Sequence, residues 1–289
     1  MHDMNGKVTL VTGATSGIGK IAALELAKKG ATVVIVGRDP AKTQATVGEI
    51  KNQTRNASAD GLVAELSSMA EVRGLAVEFR KRYSRLGVLI NNAGNIFARR
   101  QVSADGYELT FAVNHLSHFL LTNLLLDVLR ASAPSRIINV SSRSHEGSTI
   151  DFDDLQSQRN YGIGGGRAYS RSKLANIMFT YELARRLEGT GVTANALHPG
   201  TVATHFGESN GGLMGVAMKV FHRFAIPPEA GADTIVYLAS SPEVEGNTGL
   251  YWEKRRPVQS SQASYDESAQ KRLWDASALL TGLAAPVHT

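Results

Sequence analysis

The chain of 289 residues contains no cysteine at all. Disulfides, zinc–thiolate sites and thiol nucleophiles are therefore excluded. The chain is long enough to bury a sizeable core without stabilisation by disulfides or metal ions. The absence of cysteine fits a reducing compartment, so we expect a cytoplasmic location. We also expect no metal site.

Long apolar runs are missing too. The first one, Val8–Val11, is far too short for a signal core or a membrane span. The stretch Gly211–Ile226 is more apolar, but Lys219, His222 and Arg223 interrupt it as on an amphipathic surface helix. The sequence thus predicts no membrane span and leaves peripheral association open.

Positive charge is in slight excess but is not concentrated. The formal net charge is +5, and the basic clusters, such as Arg99-Arg100 and Arg185-Arg186, are short and scattered. Proteins that bind nucleic acid usually gather their basic residues on one element. We therefore expect no nucleic-acid partner, although the basic balance is compatible with a polyanionic cofactor.

Short apolar runs alternate with helical patterns along the whole chain. Runs that are apolar throughout indicate strands covered on both faces, and the alternation with helices indicates parallel pairing. The prediction is an α/β fold, a single domain over residues 1–289 with a doubly wound parallel sheet of about seven strands and helices on both faces. The predicted strands are Val8–Thr12, Thr32–Val36, Gly61–Glu65, Val88–Asn91, Arg136–Val140, Thr193–Leu197 and Gly249–Trp252. The predicted helices are Ile18–Lys29, one beginning near Pro40, Ser67–Tyr83, Ala104–Leu129, Ala168–Leu187, Pro228–Leu238 and Ser264–Leu283.

Two loose stretches come late in the chain. They are Asn160–Gly166, which holds four glycines, and Glu208–Gly212 within the segment 203–226. Because open α/β sheets bind ligands beyond the carboxyl ends of their strands, segments 160–166 and 203–226 are predicted to cover a substrate. A surface insertion is an equally good interpretation from the sequence alone.

A glycine-rich turn follows the first predicted strand and opens the first predicted helix. Its glycines are Gly13, Gly17 and Gly19, with Thr15, Ser16 and Ile18 between them. Free N–H groups and the helix dipole favour a pyrophosphate at such a helix start, and glycine lets the backbone approach it closely. The spacing differs from the commonest dinucleotide fingerprint, so only its place after a strand makes it informative.

Cofactor choice is indicated at the end of the second predicted strand. A site selective for NAD presents a carboxylate to the ribose 2′-hydroxyl there, and this chain has Gly37 instead. Arg38 follows and could clamp a 2′-phosphate. We interpret Asp39 as the cap of a helix beginning near Pro40. The sequence therefore favours NADP(H), with NAD(H) as second choice.

A tyrosine and a lysine share one helix face. Tyr169 and Lys173 are four residues apart within a helical pattern. A phenol is a poor base at neutral pH, and a nearby ammonium would lower its pKa. Such a pair is common on surfaces, so the two residues alone prove little.

Other polar residues support this pair. Ser142 ends the fifth predicted strand, and Asn92, Ala93 and Gly94 follow the fourth. Asn114 lies in an apolar helical pattern, where a buried amide needs partners. It could equally be a core residue satisfied by backbone.

Together these motifs resemble the short-chain dehydrogenase/reductase family over nearly the full chain. The matching motifs are Thr12–Gly19, Asn91–Gly94, Asn114, Ser142, Tyr169-x-x-x-Lys173 and His198-Pro199-Gly200. The closer likeness is to the retinol-dehydrogenase-like branch, which includes relatives of protochlorophyllide reductase. The residues on which this closer likeness rests are Phe111–Leu116, Val140–His145 and Lys271–Trp274.

The resemblance implies a role for each matching residue. Tyr169 would be the acid in reduction and the base in oxidation, Lys173 would hold the nicotinamide ribose, and Ser142 would orient the carbonyl oxygen. Asn114 would hold a water in the proton relay. The implied cofactor contacts are Gly13, Thr15, Ser16, Gly17, Ile18, Gly19, Arg38, Glu65, Leu66, Asn92, Ala93, Gly94, Tyr169, Lys173, Pro199, Gly200, Val202 and Thr204.

Three departures from the family's pattern stand out. Glu65-Leu66 replaces the usual Asp-Leu near the adenine, and Gly87 stands where an aspartate commonly precedes the fourth strand. The insertion between Ser142 and Tyr169 is longer than in the family's shortest members. The chain also shows no N-terminal apolar anchor of the kind many branch members have, so we expect no fixed membrane location.

The sequence therefore predicts a hydride-transferring oxidoreductase for a small alcohol or carbonyl compound. The branch and apolar residues such as Ile96, Phe97 and Phe206 suggest a lipophilic substrate, although each could be core or lid packing. A catalytically silent NADP(H) sensor is the main alternative. A nucleotide-sugar epimerase or dehydratase is disfavoured because little chain follows residue 200. Relatives often pair through the helices corresponding to Ala104–Leu129 and Ala168–Leu187, so a homo-oligomer is a further expectation.

Overall fold

The computed structural model describes residues 4–200 and 227–283. Its strands are β1 Val8–Thr12, β2 Thr32–Gly37, β3 Ala59–Val63, β4 Val88–Asn91, β5 Ser135–Val140, β6 Val192–His198, β7 Leu250–Glu253 and β8 Arg256–Val258. Its α-helices are α1 Gly17–Lys28, α2 Pro40–Thr54, α3 Met69–Arg82, α4 Leu109–Phe111, α5 Ser117–Leu124, α6 Leu126–Ala131, α7 Gly166–Arg186, α8 Pro228–Ser240 and α9 Glu267–Thr281.

The strands form one eight-stranded sheet in the order β3-β2-β1-β4-β5-β6-β7-β8. All neighbours pair in parallel except β7 and β8, which form an antiparallel edge. The predicted α/β fold with a doubly wound sheet is confirmed. The short strand β8 was missed because Arg256–Val258 is exposed and carries no apolar run.

Helices cover both faces of the sheet. One core layer joins the sheet to α3, α5, α7 and α9, with Phe119 and Trp274 at its centre. The other layer joins it to α1, α2 and α8. The order of the strands reverses between β1 and β4, so these two strands leave a crevice at their carboxyl ends.

Two predicted elements need correction. The third strand lies at Ala59–Val63 rather than Gly61–Glu65, because Val33–Gly37 of β2 pairs with Ala59–Val63. The predicted helix Ala104–Leu129 begins only at Leu109 and contains a π-helical turn at Ala112–Leu116. It begins there because the Glu108 carboxylate caps the N–H groups of Thr110 and Phe111.

Candidate active site

A cleft of about 1110 Å³ opens at the carboxyl ends of β1 and β4, where the strand order reverses. Its walls bring together residues from the carboxyl ends of six strands, β1 to β6. Every predicted cofactor residue that the structure describes lines this cleft, as do Ser142, Tyr169 and Lys173. Val202 and Thr204, and the predicted covering segment 203–226, lie outside the described residues.

The glycine turn forms the floor of the cleft at the start of α1. Gly13 and Gly17 have φ of +65° and +56°, a region in which a side chain would be strained. A Cβ on Gly13 would lie 2.8 Å from the Ala93 Cα, so the turn packs directly on the end of β4. Ser16 is the N-cap of α1, yet its side chain makes no capping hydrogen bond. The exposed N-terminus of α1 is therefore open to an anion.

The turn is locked to the residues after β4. The Thr12 hydroxyl accepts hydrogen bonds from the N–H groups of Asn92 and Ala93, both at 3.0 Å. The Asn92 side-chain NH₂ donates to the Thr12 carbonyl at 2.8 Å. Its Oδ1 is buried and has no hydrogen-bond partner within residues 4–200 and 227–283. Buried polar atoms usually have a hydrogen-bond partner, so this acceptor is unusual among the residues that line the cleft.

At the end of β2, glycine stands at the position where a site selective for NAD presents a carboxylate. A Cβ on Gly37 would lie 2.4 Å from both Thr15 Cγ2 and Thr43 Oγ1, so no carboxylate fits at this position. Arg38 is exposed on the cleft wall, and Lys42 joins it there from the first turn of α2. Asp39 caps α2 by accepting a hydrogen bond from the Lys42 N–H at 3.0 Å, as predicted. Lys42 was missed because an isolated lysine at a helix start has no distinctive pattern.

Glu65 departs from the family's pattern, and its contacts are local. Its Oε1 accepts a hydrogen bond from the Ser67 N–H at 2.9 Å. Its own N–H donates to Glu71 Oε2 at 2.6 Å. The side chain therefore helps to shape the turn before α3, while Leu66 is buried beside it. Both residues line the cleft.

Tyr169 and Ser142 meet at the opposite side of the cleft. Tyr169 projects from the first turn of α7, and Ser142 follows β5 as the cap of a 3₁₀ turn, Arg143–His145. Burial raises the pKa of the Tyr169 hydroxyl to about 12, and a hydrogen bond from Ser142 opposes that rise. The sequence analysis expected this pKa to be lowered, and the protein residues alone do not lower it.

Lys173 lies one helical turn beyond Tyr169 and is buried. Its Nζ is 5.6 Å from the centre of the Tyr169 ring and donates a hydrogen bond to the Val140 carbonyl at 3.0 Å. Burial lowers the pKa of Lys173 to about 8. A Cβ on Gly94 would lie 3.2 Å from this Nζ, so glycine keeps the approach to the ammonium open.

Asn114 lies in the π-helical turn, behind the cleft wall. Its Oδ1 accepts from the Asn95 N–H at 2.8 Å, and its Nδ2 donates to the Asn95 carbonyl at 3.0 Å and to Ser172 Oγ at 2.9 Å. The side chain is thus satisfied mainly by backbone, the interpretation that the sequence had left open. π-Helical turns are frequent at functional sites. That Asn114 holds a water in a proton relay stays a prediction.

The mouth of the cleft beside Tyr169 is mostly apolar. Ile96 and Phe97 line it, as the sequence suggested, together with Leu109 and Val113, which were not singled out. The segment after Asn160 is attached to this side by the Tyr161 hydroxyl, which donates to the Phe97 carbonyl at 2.7 Å. That residues 160–166 cover a substrate stays a prediction. Leu109 and Val113 carry no sequence signal because a helical stripe looks the same whether it faces a core or a cleft.

Comparison with known proteins shows the family of this chain. Residues 7–153 and 155–211 match the family described as short chain dehydrogenase. The chain is 44% identical to human retinol dehydrogenase 14, over 97% of this chain and 88% of that protein. It belongs to the short-chain dehydrogenase family.

The family relationship extends to other proteins and to solved structures. Human retinol dehydrogenase 13 is 43% identical over 97% of this chain and 86% of its own length. The Pseudomonas aeruginosa RhlG/NADP complex superposes with a TM-score of 0.68 at 27% identity, covering 87% of this chain and 96% of that one. An uncharacterised protein from Mycobacterium paratuberculosis gives a TM-score of 0.78 at 31% identity, covering 98% and 96%. The predicted family and its retinol-dehydrogenase-like branch are confirmed, and the chain is an oxidoreductase of this family.

Two features are absent from the described ranges 4–200 and 227–283. No group of three or more His, Asp or Glu side chains there is arranged to hold a metal ion. No helix in those ranges is both long enough and apolar enough to cross a bilayer.

Proposed function

We propose that this protein is an NADP(H)-dependent oxidoreductase that interconverts a lipophilic alcohol and its aldehyde or ketone. The observation that carries the proposal is the convergence of Ser142, Tyr169 and Lys173 on one cleft with the glycine turn. The relatives named as retinol dehydrogenases support an alcohol or carbonyl substrate of apolar character. The cleft mouth formed by Ile96, Phe97, Leu109 and Val113 supports the same substrate class.

The residues of the cleft fit a dinucleotide. The free N-terminus of α1 and the Ser16 hydroxyl would hold the pyrophosphate. Asn92, whose buried Oδ1 lacks a partner within the described residues, lines the same cleft. Arg38 and Lys42 would hold a 2′-phosphate where Gly37 leaves no carboxylate to repel it. Pro199 and Gly200 line the end that approaches Tyr169.

The chemistry of the site divides between the cofactor and the chain. When bound, NADP(H) supplies or takes up the hydride and, in its oxidised form, brings a positive charge. Tyr169 is protonated at neutral pH, so its hydroxyl can donate a proton to a carbonyl oxygen. Ser142 can donate a hydrogen bond to the same oxygen, and Lys173 can hold the ribose and add positive charge.

The decisive experiment replaces the hydroxyl of Tyr169 alone. The Tyr169→Phe variant should bind NADPH within about twofold of wild type and lose reduction of aromatic and aliphatic aldehydes by about 100-fold or more. Tyr237→Phe, on α8, is the matched control and should leave both properties unchanged. Stopped-flow absorbance of NADPH measures the reduction, and fluorescence titration measures the binding.

The same experiment separates the alternative. A wild-type protein that binds NADPH but reduces no member of a broad panel of carbonyl compounds, retinal included, would support the cofactor sensor. A Tyr169→Phe variant with undiminished turnover would refute the proposed role of the phenol. A cytoplasmic location stays a prediction, which fractionation of cells expressing the full chain would test.

A further inference from the structure

His145 is a fully buried histidine just outside the proposed catalytic set. It ends the 3₁₀ turn Arg143–His145 that Ser142 caps, and its exposed fraction is 0%. Its ring lies edge-on against Tyr251 of β7, with ring centres 5.0 Å apart. Neither the cofactor nor the substrate side of the cleft includes this residue.

Both ring nitrogens of His145 have a backbone partner. Nδ1 is 2.7 Å from the Ser142 carbonyl oxygen, and Nε2 is 3.0 Å from the Ser261 backbone nitrogen. A carbonyl can only accept and an N–H can only donate, so Nδ1 carries the proton and Nε2 is the acceptor. The tautomer is therefore fixed from both sides. Burial lowers the pKa of His145, which keeps the ring neutral near pH 7.

The segment on the far side of His145 is itself anchored. Ser260 Oγ lies 2.7 Å from the Tyr181 hydroxyl of α7 and 2.6 Å from Ser264 Oγ. Gln270 of α9 donates to the Ser264 carbonyl at 2.6 Å. His145 thus connects the carbonyl of Ser142 to a segment, residues 260–264, that is fastened to α7 and α9.

On its other side, His145 is hydrogen-bonded to Ser142, the residue whose hydroxyl contacts Tyr169. The Ser142 hydroxyl also accepts a hydrogen bond from the Ser144 N–H at 3.2 Å and lies 3.1 Å from Ser144 Oγ. These contacts remain within the turn itself and would move with it. The hydrogen bond from His145, in contrast, connects the Ser142 carbonyl to the anchored segment of residues 260–264.

We propose that His145 is a positioning residue whose Nδ1–H holds the Ser142 carbonyl, and thereby aims the Ser142 hydroxyl at Tyr169 and the substrate oxygen. The Ser261 N–H acts on the other nitrogen and secures the tautomer that this bond requires. This inference rests on the proposed function, because Ser142 and Tyr169 act there on a carbonyl oxygen.

Two variants separate the two hydrogen bonds. In His145→Asn the amide NH₂ can replace Nδ1–H toward Ser142 but cannot reach Ser261. In His145→Gln the longer side chain can present its oxygen to Ser261 but offers no donor at the Nδ1 position. A role in filling space alone predicts equal effects, or a smaller effect for the larger Gln.

The kinetic result expected is a split between the variants. His145→Asn should keep kcat for aldehyde reduction within about threefold of wild type, whereas His145→Gln should lose at least about tenfold, as for one misplaced hydrogen bond. Affinity for NADPH should stay within about twofold for both. In alcohol oxidation the pKa of the rate profile should rise in His145→Gln and not in His145→Asn, because the Ser142 bond lowers the pKa of the phenol. Equal kcat values, or a larger loss for His145→Asn, would overturn the proposal.

A second measurement needs neither turnover nor a stable variant. Long-range ¹H–¹⁵N NMR of the wild-type protein labelled at histidine should show His145 as the neutral Nδ1–H tautomer at pH 7. A neutral Nε2–H tautomer, or a charged ring, would refute the inference directly. If wild type reduces no carbonyl compound while this tautomer is present, the proposed function fails and the assignment of the His145 hydrogen bonds stands.

Discussion

At the scale of single residues, the site depends on positions where a side chain cannot be added. Gly19 in α1 and Gly48 in α2 are both helical glycines, but their surroundings differ. A Cβ on Gly19 would lie 2.3 Å from Asn92 Nδ2 and 2.6 Å from the Gly13 carbonyl oxygen. A Cβ on Gly48 would meet nothing within 4 Å. The same substitution therefore has opposite consequences at the two positions.

We expect Gly19→Ala to weaken NADPH binding by tenfold or more, on the order of 1.4 kcal/mol, because the glycine turn must shift away from Asn92. Gly48→Ala should instead raise the free energy of unfolding by about 0.5–1 kcal/mol and leave NADPH binding unchanged. Fluorescence titration and urea unfolding check the two expectations. Normal NADPH affinity in Gly19→Ala would contradict the proposed seat of the pyrophosphate.

Arg38 provides a second test at this scale. Arg38→Asp should lower affinity for NADPH on the order of tenfold and raise the preference for NADH, because a 2′-phosphate would then face a carboxylate. Arg55→Asp, at the far end of α2 and also exposed, should change neither affinity. The ratio of the two dissociation constants is the measurement. An unchanged ratio in Arg38→Asp would remove the basis for preferring NADP(H).

The dependence of turnover on pH follows from Tyr169 and Lys173. The pKa of Lys173 is lowered to about 8, so its ammonium is present below that pH and is lost above it. The pKa of Tyr169 is raised to about 12, so the phenol can donate throughout the neutral range. Carbonyl reduction should therefore be flat below about pH 8 and decline above it, while alcohol oxidation should rise with pH. Initial rates in both directions with saturating cofactor test this.

At the scale of elements, α9 is the helix that seals the sheet beside α5 and α7. Trp274 packs edge-on against Phe119 at 4.9 Å between ring centres and contacts Phe179 at 5.8 Å. The Arg186 guanidinium lies 4.2 Å from the centre of the Trp274 ring. A single side chain thus joins α9 to two helices, one of which carries Tyr169 and Lys173.

Trp274→Ala should lower the free energy of unfolding by about 3–5 kcal/mol, since a large buried ring leaves a cavity that the rigid helices cannot close. Leu279→Ala is the matched control in the same helix, because Leu279 is 82% exposed. It should change stability by less than about 0.5 kcal/mol. Urea unfolding measures the free energy of unfolding of both variants. Equal losses in the two variants would show that α9 does not pack as described.

At the scale of the whole molecule, two buried histidines couple stability to pH. His115 of the π-helical turn and His118 of α5 are both buried, and burial lowers their pKa values to about 4 and about 3. The unfolded chain binds a proton at each near pH 6.5, but the folded protein does not until the pH falls much further. Between those values the unfolded state holds more protons, so folding stability falls as the pH falls.

Acidification from pH 7 to pH 5 should therefore lower the free energy of unfolding by about 2 kcal/mol for each of these histidines. Urea unfolding at the two pH values measures the loss. His115→Gln should reduce the difference between the two pH values, whatever it does to stability at pH 7. A difference that is the same in this variant would contradict the burial of a neutral His115.

Pairing of two chains also belongs to this scale. Relatives were expected to pair through helices that correspond to α5 and α7, but here α9 packs over both of them. An interface on that side would have to include α9 or displace it. A homo-oligomer stays a prediction, which the molar mass measured in solution by light scattering would test.

The fold class, the family, and the cofactor and catalytic residues that line the cleft could be predicted from the amino-acid sequence. Alternating apolar strands and helical stripes are local patterns, and so are the glycine turn and the Tyr169–Lys173 spacing. Local patterns can be recognised in the sequence because they do not depend on distant residues. The polar edge strand β8, the π-helical turn at Asn114, the apolar mouth with Leu109 and Val113, and the high pKa of Tyr169 could not be predicted from the sequence. Each of these depends on which distant residues come together and how much water they exclude, and those are properties that no single segment of the chain contains.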